Sequence, residues 1–165
     1  MVQNTFNKDL KPNERIVIYE IFQGFCLYNM KQSYKSNQIF GSACLSMLIQ
    51  NTNLFKENKY LKVIYENIIY HIDKQYFNGK KELLESILGL TVICESSFKP
   101  FAEKSITKIR RFLTDEDWFK RKLVLDIICK LYFHCKNELV SLRSSLIDQI
   151  SSLKSDKVRL INKGD

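Results

Sequence analysis

Basic and aromatic residues recur next to short polar turns in this 165-residue chain. A helical pattern breaks and restarts four times, at Asn37, Asn78, Asp117 and Asp156, at intervals of 41, 39 and 39 residues. Ammonium and guanidinium groups pair with carboxylates, and a large aromatic ring supplies an apolar anchor. The side chains beside these turns therefore predict binding of an acidic surface. They are Lys35, Tyr76, Phe77, Lys80, Lys81, Trp118, Lys120, Arg121, Lys122, Lys157 and Arg159.

Residue types that serve catalysis or metal binding lack the spacing that such sites need. His134 lies beside Cys135 and near Cys129, but no Cys or His pair has zinc-finger spacing. The sequence contains no glycine-rich phosphate loop and no nucleophile motif. The carboxylates of residues 115–117 precede a helix, where they are expected to complement the helix dipole. We therefore predict a protein that is not an enzyme and that holds no cofactor or metal.

The elements that position the turn residues are predicted to be amphipathic helices, two in each interval of about 40 residues. Such a period is typical of an α-solenoid, in which each helix pair buries its apolar stripe only against its neighbours. The chain has 45% hydrophobic residues but only five Gly and two Pro, too few for the frequent turns of an all-β fold. The predicted fold class is all-α, a solenoid of about four helix pairs.

The expected organisation is a lead-in at residues 1–11 followed by one domain at residues 12–165. The repeats are predicted at about residues 12–50, 59–95, 99–135 and 138–165. Pro12 suits a first helical turn, Gly79 is expected to end a helix with positive φ, and Thr114 with Asp117 resembles a capping box. The turns inside successive pairs then lie along one edge and bring the cations and aromatic rings together.

Charge and cysteine content narrow the choice of partner and compartment. The net charge is +8, and residues 96–165 carry 15 Lys and Arg against 9 Asp and Glu. Such a field favours nucleic acid, an anionic membrane or an acidic protein such as the tubulin surface, unless the lysines only solvate helix faces. The five cysteines, odd in number and set among apolar residues, are expected to be reduced core thiols of a cytoplasmic protein. Neither a signal segment nor a run of about 18 apolar residues is present, so no membrane partner is expected.

Three segments resemble the TOG domains of the Spiral and Tortifolia microtubule-associated proteins of plants. Residues 114–128, TDEDWFKRKLVLDII, resemble the "SSEDWAARKAAAEAL" turn of that family. Residues 37–45, NQIFGSACL, resemble its "NxQIGAALCLA" helix, and residues 156–159, DKVR, resemble its "FDKVKSVRE" turn. The resemblance implies a TOG-like solenoid of HEAT repeats, here the C-terminal part of such a domain, that grips tubulin through its turns. The matching contact residues are Trp118, Arg121, Lys122, Lys157 and Arg159.

Several residues have a second interpretation that the sequence leaves open. Trp118 is either a tubulin anchor or a staple that packs its turn, and Tyr76 with Phe77 serves binding or local packing. Arg121 contacts a ligand or pairs with a turn Asp of a neighbouring repeat. Lys120 and Lys122 are expected to be less constrained by packing.

The leading functional prediction is a tubulin-binding or microtubule-binding domain of the cytoplasm and cytoskeleton, with self-association possible. One alternative is a generic HEAT-repeat scaffold that binds another acidic protein on its concave face. A less favoured alternative is a basic solenoid that binds nucleic acid, whose affinity would fall steeply with salt.

Overall fold

The computed structural model describes residues 11–52, 54–56 and 58–153, and these residues form helices without any strand. The α-helices are α1 (Pro12–Lys31), α2 (Lys35–Gln50), α3 (Asn58–Asp73), α4 (Lys80–Cys94), α5 (Lys99–Ile109), α6 (Trp118–Cys135) and α7 (Arg143–Leu153). Short 3-10 helices at Leu54–Lys56, Glu95–Phe98, Arg110–Thr114 and Lys136–Leu142 join or extend them. The prediction of an all-α solenoid is confirmed. The lead-in, and a fourth repeat reaching residue 165, fall partly outside the described residues, so the division into repeats stays a prediction.

The helices form two layers of neighbouring pairs. Helices α2, α4 and α6 pack side by side in one layer, and α1, α3 and α5 each pack against their partner in that layer. Eleven side-chain hydrogen bonds between distant parts of the described chain join residues 35 to 40 positions apart. This spacing is the sequence period expressed as contacts, because each helix pair meets only the pair before it and the pair after it.

A continuous apolar core runs between the two layers. Tyr19 of α1 meets Phe55 and Tyr60 edge-on, with ring centroids 5.5 and 5.4 Å apart. Tyr65 of α3 makes similar contacts with Phe98 and donates its hydroxyl to the carbonyl of Phe101. Each fully buried Leu, Ile or Phe stabilises the fold by roughly 1.5–3 kcal/mol, so the core supplies most of the stability.

Two glycines allow helices to approach closely. A Cβ at Gly41 would lie 2.7 Å from the carbonyl oxygen of Cys26, so the small residue permits the α1–α2 contact. A Cβ at Gly79 would lie 2.8 Å from the carbonyl oxygen of Gln38 in the preceding repeat. Gly79 has φ −89°, so the prediction of a positive φ is wrong. The glycine at position 79 is needed for the close contact between repeats and not for a positive φ.

The start of α6 also differs from the expected capping box. Asp117 is the N-cap residue, and its carboxylate accepts a hydrogen bond from the N–H of Phe119 at 2.9 Å. Thr114 instead ends the preceding 3-10 helix and donates its hydroxyl to the carbonyl of Arg111. The prediction that Thr114 caps the helix is therefore wrong, because an aspartate nearer the first turn takes that position.

The cysteines are all free thiols, and most of them lie in the core as expected. Burial raises the pKa of Cys26 to about 12 and that of Cys94 to about 11, which keeps both protonated at neutral pH. Cys129 is exposed, so the prediction of a core position is wrong for this residue. No described helix is both long and apolar enough to cross a membrane.

Candidate partner-binding edge

The turns inside the first three helix pairs lie side by side along one edge of the solenoid. The backbone N–H and the side-chain amide of Asn78 both donate to the Gln38 side-chain oxygen, at 3.0 and 2.9 Å. The Lys81 ammonium lies over the Phe119 ring, 4.5 Å from its centroid. The Asn78–Gln38 bonds join the first turn to the second. The Lys81–Phe119 contact joins the second turn to the third. We call residues 31–38, 74–81 and 110–122 the turn edge.

Cations occupy the helix starts on the turn edge, where the helix dipole is already positive. Lys35 is the first residue of α2, and Lys80 and Lys81 are the first two residues of α4. A cation at this position is unfavourable for the helix, because the free N–H groups carry partial positive charge. The pKa of Lys80 is lowered by burial and by the nearby Arg111 and Lys120. The edge therefore concentrates positive potential, which an acidic partner would relieve.

Three large aromatic side chains project from the turn edge into solvent. Trp118, the first residue of α6, is 54% exposed, Tyr34 of the first turn is 72% exposed, and Tyr76 of the second turn is 83% exposed. Trp118 contacts the half-buried Phe119 edge-on at a centroid distance of 5.5 Å. This contact covers one side of the indole and leaves the rest accessible, which is the arrangement that an aromatic anchor for a partner requires.

Phe77 does not belong to the exposed surface. Its side chain is only 6% exposed, and its ring packs against the ring of His71 at a centroid distance of 5.0 Å. The turn places neighbouring side chains on opposite sides, so Tyr76 faces solvent while Phe77 faces the core. The prediction of a partner contact for Phe77 is therefore wrong, and its alternative reading as local packing describes it.

The turn before α6 is held by the basic residues that were expected to contact a partner. Arg121 donates from one guanidinium nitrogen to the carbonyls of Asp115 and Glu116, at 2.6 and 2.9 Å. Lys120 forms an ion pair with the Asp115 carboxylate at 3.2 Å and is mostly buried. The predicted pairing of Arg121 with a turn Asp of another repeat is not seen in the described residues. Lys120 is more constrained than expected, because Asp115 lies within its reach.

Lys122 is an exposed cation close to Trp118 on α6. Its side chain is 58% exposed, and it pairs with Asp126 one helical turn later at 2.8 Å. An exposed pair of this kind contributes little stability, so a partner carboxylate can compete for the ammonium. Lys157 and Arg159 lie outside the described residues, and their partner contacts stay predictions.

The structure adds residues to the turn edge that the sequence reasoning missed. A shallow cavity of about 340 Å³ lies between the first two turns. It is lined by Met30, Lys31, Gln38, Lys74, Gln75, Tyr76 and Phe77. Arg111, at the third turn, is half exposed, stacks on Phe112 and donates to the carbonyl of Ile72. Lys31, Lys74 and Arg111 lie at or just after the end of the first helix of each pair. Most of the cations predicted from the sequence lie instead at the start of the second helix.

Within the described residues, no group of three or more His, Cys, Asp or Glu side chains is arranged to hold a metal ion.

Comparison with known proteins connects the chain to one family. The family model described as TORTIFOLIA1 N-terminal matches residues 2–163, almost the whole sequence. No curated protein and no solved structure gives a significant match.

Proposed function

The chain belongs to the TORTIFOLIA1 N-terminal family, and from this premise we propose that it is a non-enzymatic, TOG-like domain that binds tubulin or microtubules through its turn edge. Membership suggests a microtubule-associated domain, as does the resemblance of its turns to those of the Spiral and Tortifolia proteins. The proposed location is accordingly the cytoplasm, on the cytoskeleton.

The choice of the turn edge as the binding surface rests on the position of Trp118. Trp118 projects from the first turn of α6, within a few residues of the exposed Lys122 and beside a row of cations at helix starts. An exposed indole surrounded by cations combines an apolar anchor with attraction to carboxylates. The surface of tubulin is acidic, so this combination suits it better than an apolar groove would.

The constrained residues have a supporting role in this proposal. Arg121 and Lys120 fix the loop at residues 115–117 through backbone and carboxylate contacts. A loop that is already ordered loses little conformational entropy when it binds. We therefore assign partner contact to Trp118, Lys122, Tyr76, Lys35 and the cations of α4, and positioning to Arg121 and Lys120.

The test is co-sedimentation of the chain with stabilised microtubules at near-physiological salt, with excess duplex DNA as competitor. The double variant Trp118→Ala, Lys122→Glu removes the anchor and reverses one exposed charge. Its matched control is Phe133→Ala, Lys130→Glu, which makes the same chemical changes at exposed positions near the other end of α6.

We expect the wild type and the control to pellet with microtubules in the presence of DNA, and the Trp118/Lys122 variant to stay in the supernatant. Equal loss in both double variants would mean that net charge, and not the turn edge, drives pelleting. Pelleting that DNA abolishes would favour a nucleic-acid binder. Failure to bind either microtubules or free tubulin would refute the proposed function.

A further inference from the structure

An uncharged apolar face covers the side of the first helix pair that points away from the second pair. It consists of Ile21, Phe22 and Phe25 from α1 together with Phe40 and Met47 from α2, and we call it the end face. Their exposed fractions are 65%, 54%, 47%, 52% and 65%. The rings of Phe25 and Phe40 meet edge-on at a centroid distance of 5.9 Å, so the patch is continuous across the two helices.

The end face extends beyond the core that the same helices build. On α2, Leu45 and Ile49 are buried on the side of the helix opposite the exposed Phe40 and Met47, so this helix carries a second apolar stripe. On α1, the buried Cys26 lies one turn from the exposed Phe22, so the apolar stripe that packs into the solenoid continues into the end face. A helix that is apolar on more than one side is expected to be covered on each of them.

Charge is absent from this part of the chain. Residues 21–30 and 36–52 contain no Asp, Glu, Lys or Arg, although charged residues make up 27% of the sequence. The cores of protein interfaces are depleted in charge and enriched in Phe and Met in the same way. An uncharged surface also lets two copies of a chain with net charge +8 approach without local repulsion.

The size of the end face fits a weak dimer. A buried aromatic side chain covers about 150–250 Å², so the five half-exposed residues leave roughly 500 Å² of apolar surface open. Two such patches together bury about 1,000 Å², the lower end of the range for specific interfaces, whereas a standard interface buries about 800 Å² on each partner. The area therefore suits a dimer that dissociates on dilution.

We propose that the end face binds the end face of a second copy of this chain and forms a twofold symmetric homodimer. When the same patch on two copies forms the contact, both patches are used up and the assembly stops at two subunits. The described part of the far end, α7, carries Arg143 and Asp148 and offers a less apolar surface for head-to-tail stacking. The turn edge lies on another side of the helices, so the proposal stands independently of tubulin binding.

The oligomeric state of the chain tests this proposal directly. We expect light scattering and sedimentation equilibrium to give a dimer at about 100 µM and dissociation to monomers on dilution. The double variant Ile21→Glu, Met47→Glu places charges at the two most exposed positions of the face and should weaken the dimer at least 100-fold. The matched control Phe133→Glu, Val140→Glu changes exposed residues elsewhere and should leave the dimer unchanged. Circular dichroism and melting curves show that both variants are folded.

Thiol protection locates the interface in the same samples. Cys44 lies between Phe40 and Met47 at helical spacing and is partly exposed, whereas Cys129 of α6 is exposed and serves as an internal reference. Alkylation of Cys44 should be slower in the wild type than in the Ile21/Met47 variant, with the rate at Cys129 unchanged. A wild type that is monomeric at all concentrations, a series of larger species, or equal loss in the control would overturn the proposal.

Discussion

Trp118 and Phe77 are aromatic residues beside neighbouring turns, but they have opposite energetic roles. The indole of Trp118 is 54% exposed, and its removal leaves no cavity in the core. The Phe77 ring is buried against His71, so its removal creates an unfilled space. This contrast separates an effect on binding, at Trp118, from an effect on stability, at Phe77.

Replacing Trp118 by Ala should weaken tubulin binding by more than about 1 kcal/mol, roughly fivefold or more, because an exposed anchor acts only in the complex. The melting temperature should stay nearly unchanged. Replacing Phe77 by Ala should instead lower the free energy of unfolding by about 3 kcal/mol through the cavity it leaves. Titration with tubulin and denaturant unfolding measure the two quantities. A large loss of stability in the Trp118 variant would show that the indole is a packing staple.

His71 makes the stability of α3 sensitive to mild acid. The residue is fully buried, its Nδ1 lies 2.9 Å from the carbonyl oxygen of Asn67, and its Nε2 has no partner in the described residues. The pKa of His71 lies below its usual 6.5, first because of burial and also because of the nearby Lys74 and Lys31. Protonation is therefore easier in the unfolded chain than in the folded one.

We expect the free energy of unfolding to fall in mild acid because of His71. The contribution of neutral His71 is fully present above pH 6.5 and is lost as the pH falls toward the lowered folded pKa, at up to about 1.4 kcal/mol per pH unit. Urea unfolding between pH 7.5 and 5 should show this decline. The variant His71→Phe, which keeps an aromatic ring without a titrating group, should flatten it. An equal slope in both proteins would assign the decline to other groups.

At the scale of the elements, the position of a helix start depends on contacts that cross from one repeat to the next. Gly79 begins the second helix of its pair against the carbonyl of Gln38 and the side chain of Ser42. Gly24 lies in the middle of α1, and a Cβ there would meet nothing within 4 Å. The same substitution at these two glycines therefore tests packing between repeats against simple helix propensity.

The variant Gly79→Ala should destabilise the protein by about 1–3 kcal/mol, because its Cβ overlaps backbone and side chain of the preceding repeat. The variant Gly24→Ala should stabilise it by up to about 1 kcal/mol, because alanine favours the helix more than glycine does. Thermal or denaturant unfolding of both variants measures the difference. Tolerance of alanine at position 79 would mean that the repeats can separate slightly at no cost.

Sequence periodicity predicts the helices but not the contacts that fix their ends. The 39 to 41-residue spacing of the turns and the apolar stripe of α3 indicate the solenoid, because both follow from local helix geometry. Whether Lys120 is free or Phe77 is buried depends on which groups the turn brings within reach. The order of the turns is therefore predictable from the sequence, whereas the division between binding and positioning residues depends on contacts that only the folded structure shows.

At the scale of the whole molecule, distant parts of the described chain are joined through adjacent repeats. The bonds from Tyr65 to Phe101, from Arg111 to Ile72 and from Asn78 to Gln38 each join one pair to the next. Stability in such an array is close to a sum over repeats and their interfaces. The first pair has a neighbour on one side only within the described residues, which is why its second apolar side matters for assembly.

Two charge reversals on α6 can separate the local field of the turn edge from the net charge of the molecule. Lys122→Glu and Lys130→Glu both lower the net charge by two, but the two residues are eight positions apart in α6, about 12 Å along the helix. This separation exceeds the Debye length of about 8 Å at physiological ionic strength. If the turn edge steers an acidic partner, Lys122→Glu should lower the association rate with tubulin several-fold more than Lys130→Glu does. Stopped-flow measurements at 50 and 150 mM salt give the comparison, and equal effects of the two variants would mean that the field of the whole solenoid, not its turn edge, attracts the partner.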